Sequence, residues 1–142
     1  MPNGRAFKTD VSFLEKLAIG ACGTKNVSQE IRAEAARALA KISENNTEKV
    51  LEQFASADEI TRPGIAWALS KRGRLDIRKI IDIVPLDSID TRQWVAFMLG
   101  YAEHNQLIGK IEDLKNIDSE LYFAVTLLWK IISSWVYNLE EV

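Results

Sequence analysis

The chain is poor in the side chains from which small catalytic and metal centres are built. Its 142 residues include one histidine, His104, and one cysteine, Cys22. A histidine-rich metal site or an internal disulfide needs more than one such residue. The sequence also contains no P-loop, no GxGxxG and no serine or cysteine that a motif pairs with a histidine. It therefore predicts a non-catalytic protein with no cofactor and no metal.

Charge of one sign and long apolar runs are lacking as well. The formal net charge is −2, too small to attract a polyanion such as nucleic acid. The most apolar stretch, residues 121–137, is interrupted by Lys130 and is slightly short for a membrane span. Residues 1–10 are polar, without the apolar core of a secretory signal. We expect a cytoplasmic protein that is not embedded in a membrane.

The amino-acid composition is that of an ordinary globular domain. Apolar residues make up 47% and charged residues 27% of the chain. A length of 142 residues corresponds to one domain. The sequence therefore predicts a single domain over residues 1–142, with enough apolar side chains for one continuous core.

An evenly spaced internal repeat runs through the chain. The segments that follow Arg32, Arg62 and Arg92 align with one another, and three further columns match: Ala36, Ala66 and Ala96; Leu39, Leu69 and Leu99; Ala40, Ser70 and Gly100. Four residues before each arginine stands a good helix N-cap: Ser28, Asp58 and Ser88. Five matching columns over three copies indicate a true repeat.

A fourth copy fits if its spacing is shortened by two positions, with Glu120, Ala124 and Leu127 in the arginine, alanine and leucine columns. A shorter apolar segment with helical spacing precedes each copy, at residues 11–22, 47–54, 75–84 and 106–114. We therefore predict four pairs of helices, A then B, in repeats 11–44, 45–73, 74–103 and 104–139. Stacked pairs build a core that a single pair cannot. Pro63 and Gly64 predict that the second helix B starts late or bends.

The cap, the arginine four residues later and the Ala-x-x-Leu after it resemble the HEAT-repeat family in its short bacterial form, over roughly residues 11–139. The resemblance implies an all-α fold, a right-handed, armadillo-like α-α solenoid of about four HEAT-like helix pairs. It also implies a ladder of Asp–Arg contacts between repeats. Asp58 and Arg62 match that ladder, Ser28 and Ser88 supply the cap without its charge, and the fourth copy lacks the arginine.

One edge of helix B changes from charged to aromatic along the chain. The first repeat has Glu34, Arg37 and Lys41 there. In HEAT solenoids this edge lines the concave surface, which implies a partner-binding groove formed by Gly64, Trp67, Lys71, Trp94, Phe97, Tyr101, Tyr122 and Trp129. Partly exposed aromatic side chains are common at binding sites. The alternative is that these rings pack on one another as core. Because Gly64 has no side chain, it would leave a hollow between Trp67 and Trp94, which favours a binding site.

Two other features suggest contacts. A basic turn could hold a phosphate or an acidic partner: Lys71, Arg72, Arg74, Arg78 and Lys79. A solvated turn explains the same run of charge. The last helix is apolar nearly all round, so something should cover it. A second copy of the chain is the simplest cover, through a dimer face formed by Leu128, Ile132, Trp135 and Val136.

These observations favour a non-catalytic scaffold or adaptor that binds an unidentified protein or peptide on the aromatic edge. One alternative is a nucleic-acid-binding protein related to the HEAT-like alkylpurine DNA glycosylases, which also use concave tryptophans. The near-neutral charge argues against nucleic acid. Another alternative is a chaperone subunit similar to the HEAT-like chromophore lyases, which would also favour an aromatic groove.

Overall fold

The computed structural model describes residues 19–22 and 26–127, and these residues are mostly helical. The helices are α1 (Gln29–Asn45), α2 (Thr47–Ser56), α3 (Arg62–Arg72), α4 (Ile77–Ile83), α5 (Ile89–Tyr101) and α6 (Leu114–Ile117). A further helix, α7, is described over residues 119–127. Two short strands, β1 (Leu75–Asp76) and β2 (Leu107–Ile108), pair in parallel, and 3₁₀ turns occupy His104–Gln106 and Ile111–Asp113.

Side-chain caps fix where the long helices begin. The Oγ of Ser28 accepts a hydrogen bond from the Ile31 amide, and the Oγ of Ser88 accepts one from the Thr91 amide at 3.1 Å. Such caps satisfy donors that the first turn of a helix leaves without partners. The Asp58 carboxylate accepts from the Thr61 amide at 2.8 Å. The caps predicted at Ser28 and Ser88 are therefore confirmed. Asp58 caps only the turn before α3, because the N-cap residue of that helix is Thr61.

The second helix of the repeat starts late, as Pro63 and Gly64 predicted. Helix α3 begins at Arg62, four residues after Asp58, whereas α1 and α5 begin one residue after their serine caps. Proline sits in the first turn of α3, where its missing amide proton is not needed. A short turn therefore separates the Asp58 cap from α3.

The fourth copy of the repeat keeps the spacing of the first three instead of a shorter one. The carboxylate of Asp118 accepts from the Leu121 amide at 3.1 Å, so the interval from Ser88 to the cap of α7 equals the intervals between the earlier caps. Tyr122 then occupies the arginine column in place of Glu120. The shortened alignment is therefore wrong by two positions. In agreement, Leu127 is 43% exposed, whereas Leu69 and Leu99 are buried.

Helix α3 lies between α1 and α5 and forms the centre of the core. Every residue from Pro63 to Ser70 is buried. Ala36, Ala66 and Ala96 are all buried at equivalent places on the three helices, because a methyl side chain lets neighbouring helices approach closely. Ala124, predicted to share this environment, is only partly buried.

The side of α1 that packs against α3 carries small residues. Ala36, Ala40 and Ser43 are buried there, and small side chains permit the two helices to approach closely. Ile31 is 57% exposed and Ile42 is 53% exposed. An apolar cavity of about 620 Å³ lies between the apolar residues of α1, the start of α3 and residues 21–22.

The segment at residues 106–114 does not form the helix that its apolar spacing predicted. It contains β2, the Ile111–Asp113 turn and only the first residue of α6. Leu107 pairs with Leu75 in the β1–β2 ladder, and Gly109 adopts a φ of 100°, a conformation that interrupts any right-handed helix. The predicted four complete helix pairs are therefore wrong for this segment.

The arginines of the repeat in α3 and α5 form ion pairs with the next long helix or its cap. Arg62 of α3 pairs with Asp90 in the first turn of α5. Arg92 of α5 pairs with Asp118, the cap of α7, at 3.1 Å. The arginine side chains are 11% and 25% exposed, so both pairs are largely shielded from water. The arginine of each helix therefore contacts the capping region of the next.

Candidate binding surfaces

The aromatic residues of α5 form a row of edge-to-face contacts. The ring of Trp94 lies 5.2 Å from that of Phe97, and the ring of Phe97 lies 4.6 Å from that of Tyr101. A spacing of three and four residues places the three rings on one side of the helix. Phe97 is buried, whereas Trp94 and Tyr101 are partly buried. The row therefore combines a fixed centre with two rings that reach the surface.

Trp67 of α3 is core rather than surface. It is 7% exposed, so the expectation that it is partly exposed is wrong. Gly64, on the same edge, is also buried and does not line an open hollow. The Nε1 of Trp67 is buried and has no hydrogen-bond partner among the described residues, while the ammonium of Lys71 lies 5.8 Å from the ring centroid. The α3 part of the aromatic edge thus fits the alternative in which the rings pack as core.

The part of the edge that remains at the surface lies on α5, and we call Trp94 and Tyr101 the exposed aromatic row. Tyr122 belonged to the edge only in the shortened alignment, and with the corrected spacing it falls in the arginine column. It is partly buried, and the ammonium of Lys115 lies 5.8 Å from the centroid of its ring. Trp129, the last residue predicted for the edge, lies outside the described residues.

Charge in the basic turn is partly neutralised by neighbouring acids. The guanidinium of Arg72 lies 3.3 Å from the Glu44 carboxylate, and the Lys79 ammonium lies 3.5 Å from that of Glu48. Lys71 contacts Trp67 as described above. Arg74 and Arg78 are exposed. The five basic side chains therefore do not form one uniform anion-binding patch.

The sequence did not predict a cavity beside this turn, which has both charged and apolar lining residues. Its volume is about 290 Å³, and its lining comes from the α1–α2 junction, β1, α4 and β2: Glu44, Asn45, Thr47, Glu48, Leu51, Arg74, Leu75, Asp76, Lys79, Ile80 and Ile108. These residues are distant in sequence and follow no motif. Only the packing of α2 against α4 and the β1–β2 pairing bring them together.

His104 is exposed in a 3₁₀ turn, and burial raises the pKa of the Cys22 thiol. Within residues 19–22 and 26–127, no three His, Cys, Asp or Glu side chains are grouped so as to hold a metal ion. No helix in that part of the chain is long and apolar enough to cross a membrane. The predicted dimer face, Leu128, Ile132, Trp135 and Val136, lies outside the described residues.

The chain matches no protein-family model, no curated protein and no solved structure.

Proposed function

We propose that the chain is a short HEAT-like α-solenoid that serves as a non-catalytic scaffold for a protein or peptide partner. The spacing of the helix caps supports the repeat, since Ser28, Asp58, Ser88 and Asp118 follow one another at equal intervals. The Arg62–Asp90 and Arg92–Asp118 pairs support the ladder that the HEAT resemblance implies. Each pair links one long helix to the start of the next.

The exposed aromatic row is the proposed contact surface, and the packing of Phe97 carries the proposal. Phe97 is buried and touches both Trp94 and Tyr101 edge to face. The two outer rings are therefore held in place before any partner arrives, so that binding costs little side-chain entropy. Aromatic rings that are rigid and partly exposed give large contact area and dominate many interfaces.

The rings of the row narrow the chemistry of the partner. Aromatic and aliphatic side chains pack well against such partly exposed rings. We therefore expect a peptide that presents aromatic or aliphatic anchors.

Selection from a random peptide library against the full chain tests the proposal. The selected peptides are synthesised, and their dissociation constants are measured by calorimetry for the original chain and two variants. Trp94→Ala should weaken binding about tenfold or more, because it removes an interfacial anchor. Phe123→Ala is the matched control, since Phe123 is 64% exposed on α7 and lies outside the row. It should leave the affinity within about twofold of the original.

Three results would count against the proposal. The first is a set of selected peptides that bind Trp94→Ala as tightly as the original chain, and the second is binding that depends equally on Phe123. A loss of about 3–5 kcal/mol in the free energy of unfolding of Trp94→Ala is the third, since it would show that Trp94 is core. If instead duplex DNA binds and Trp94→Ala abolishes that binding, the DNA-glycosylase-like alternative gains the support.

A further inference from the structure

A hydrogen bond joins the two sides of the cavity of about 290 Å³. Its two sides are the start of α2 and the β1–α4 segment. A hydrogen bond of 2.9 Å from the Arg74 amide to the Thr47 hydroxyl links the two sides, and Thr47 donates in turn to the Ser43 carbonyl. The backbone that carries Arg74 is therefore anchored to the α1–α2 junction. Arg74 therefore lines the cavity from a backbone position that the hydrogen bond fixes.

The charges that line the cavity leave one cation without a counter-ion among the described residues. Glu44 pairs with Arg72, and Glu48 pairs with Lys79. The Asp76 carboxylate accepts from the Arg78 and Lys79 amides and so caps α4. Of the two cations in this lining, Arg74 and Lys79, Arg74 has no ion pair within the part of the chain that the structure describes. An incoming anion therefore meets an available guanidinium, which binds carboxylates through two parallel hydrogen bonds.

The floor of the cavity is apolar. Leu51, Leu75 and Ile80 line it and are 3%, 0% and 1% exposed. A ligand that reaches Arg74 thus places the rest of its body against aliphatic side chains. The volume is near the lower end of the range of about 300–1,000 Å³ that holds ligands up to drug size. The ligand must therefore be small and must carry one apolar group.

The acids in the lining restrict the charge of the ligand. Glu44, Glu48 and Asp76 remain within the same cavity wall, and they would repel a dianion such as a phosphate monoester more strongly than a monoanion. We propose that the cavity binds a small organic monocarboxylate, with its carboxylate on Arg74 and its apolar body against Leu51 and Ile80. The carboxylate belongs either to a free small acid or to the C-terminal residue of a peptide.

Titration of the full chain with benzoate, followed by amide-resolved NMR, tests this site. Benzamide is the control ligand, since it has the same shape without the charge. We expect saturable shifts at Thr47, Glu48 and Asp76 with benzoate, and an affinity for benzamide weaker by about tenfold or more. An acetylated dipeptide ending in leucine is titrated beside its amide. Tighter binding of the free-acid peptide than of benzoate would support the site and would identify its ligand as the C-terminal residue of a peptide.

Two arginine variants decide whether Arg74 is the anchor. Arg74→Gln keeps the backbone contact with Thr47 and removes only the guanidinium, so benzoate affinity should fall about tenfold or more. Arg78→Gln is the matched control, because Arg78 is also exposed but does not line the cavity. It should change the affinity by less than about twofold. Equal binding of benzoate and benzamide, an unchanged affinity in Arg74→Gln, or shifts confined to other residues would each overturn the proposal.

Discussion

The Arg62–Asp90 pair should stabilise the fold, and a second pair in the same chain provides its control. Arg62 and Asp90 join α3 to α5, and Glu44 and Arg72 join α1 to α3. Both pairs span the same separation along the chain. They differ mainly in burial. The Arg62 and Asp90 side chains are 11% and 30% exposed, whereas those of Arg72 and Glu44 are 56% and 53% exposed.

The contacts of Arg62 set the magnitude. One nitrogen of its guanidinium donates to Asp90 and another donates to the Ala57 carbonyl, and the guanidinium carbon lies 5.9 Å from the centroid of the Phe54 ring. A hydrogen bond to a charged group contributes about 1.5–3 kcal/mol. Because Asp90 retains some access to water, we expect a coupling free energy of about 1–2 kcal/mol for this pair. An exposed pair such as Arg72–Glu44 contributes about 0.2–1 kcal/mol.

Double-mutant cycles measure both couplings. Arg62→Gln, Asp90→Asn and the combined variant form one cycle, and Arg72→Gln, Glu44→Gln and their combination form the other. The free energy of unfolding is obtained from urea titrations followed by circular dichroism, at low salt and at about 1 M salt, where the Debye length is about 3 Å. The Arg72–Glu44 coupling should nearly vanish at high salt. Most of the Arg62–Asp90 coupling should persist, because the pair is shielded.

Equal couplings in the two cycles would refute the reasoning from burial. So would a coupling below about 0.5 kcal/mol for Arg62–Asp90, since that value is ordinary for a pair in full contact with water. A strong salt dependence of the Arg62–Asp90 coupling would lead to the same conclusion. In each case the contact between α3 and α5 would have to rest on apolar packing alone.

Two further predictions concern backbone conformation and pH. Gly109→Ala should cost about 1–2 kcal/mol of unfolding free energy in urea titrations, because φ is +100° there while an added Cβ meets nothing closer than 3.8 Å. The control Gly20→Ala, in helical backbone with nothing within 4 Å, should be neutral or stabilising, and an equal loss in both would contradict the conformational argument. Hydrogen bonds from Thr61 hold the pKa of Asp58 below its ordinary value of about 4. The charged carboxylate therefore stabilises the fold at a pH above about 4. Asp58→Asn should therefore be less stable than the original chain at neutral pH, with a difference that shrinks as pH falls through the folded pKa. A difference that stays constant down to about pH 2 would contradict the assignment.

Much of the secondary structure could be predicted because its determinants are local. Ser28 and Ser88 are followed by apolar spacing typical of helices, and α1 and α5 begin one residue after them. The late start of α3 agrees with Pro63, which lies in the first turn of the helix, where its missing amide proton is not needed. Errors arose where local signals were weak. The apolar spacing of residues 106–114 resembles a helix, yet Leu107 pairs with Leu75, a partner from a distant part of the chain.

The candidate sites were less predictable, because they depend on which surfaces meet. A helical pattern identifies an aromatic edge but not its exposure, so Trp67 and Trp94 looked alike in sequence and differ in burial. The cavity at Arg74 is lined from five separate elements. Its residues carry no common spacing, and no pattern along the chain could have grouped them.

The sequence by itself determined the helical character of most of the chain and the serine caps of α1 and α5. Caps and periodicity depend on residues that are close together along the chain. Only the tertiary structure decided that Ile31 and Ile42 of α1 are exposed. It also decided that Trp67 is buried while Trp94 reaches the surface. Burial is a property of the neighbours that a side chain meets, and those neighbours come from distant parts of the chain.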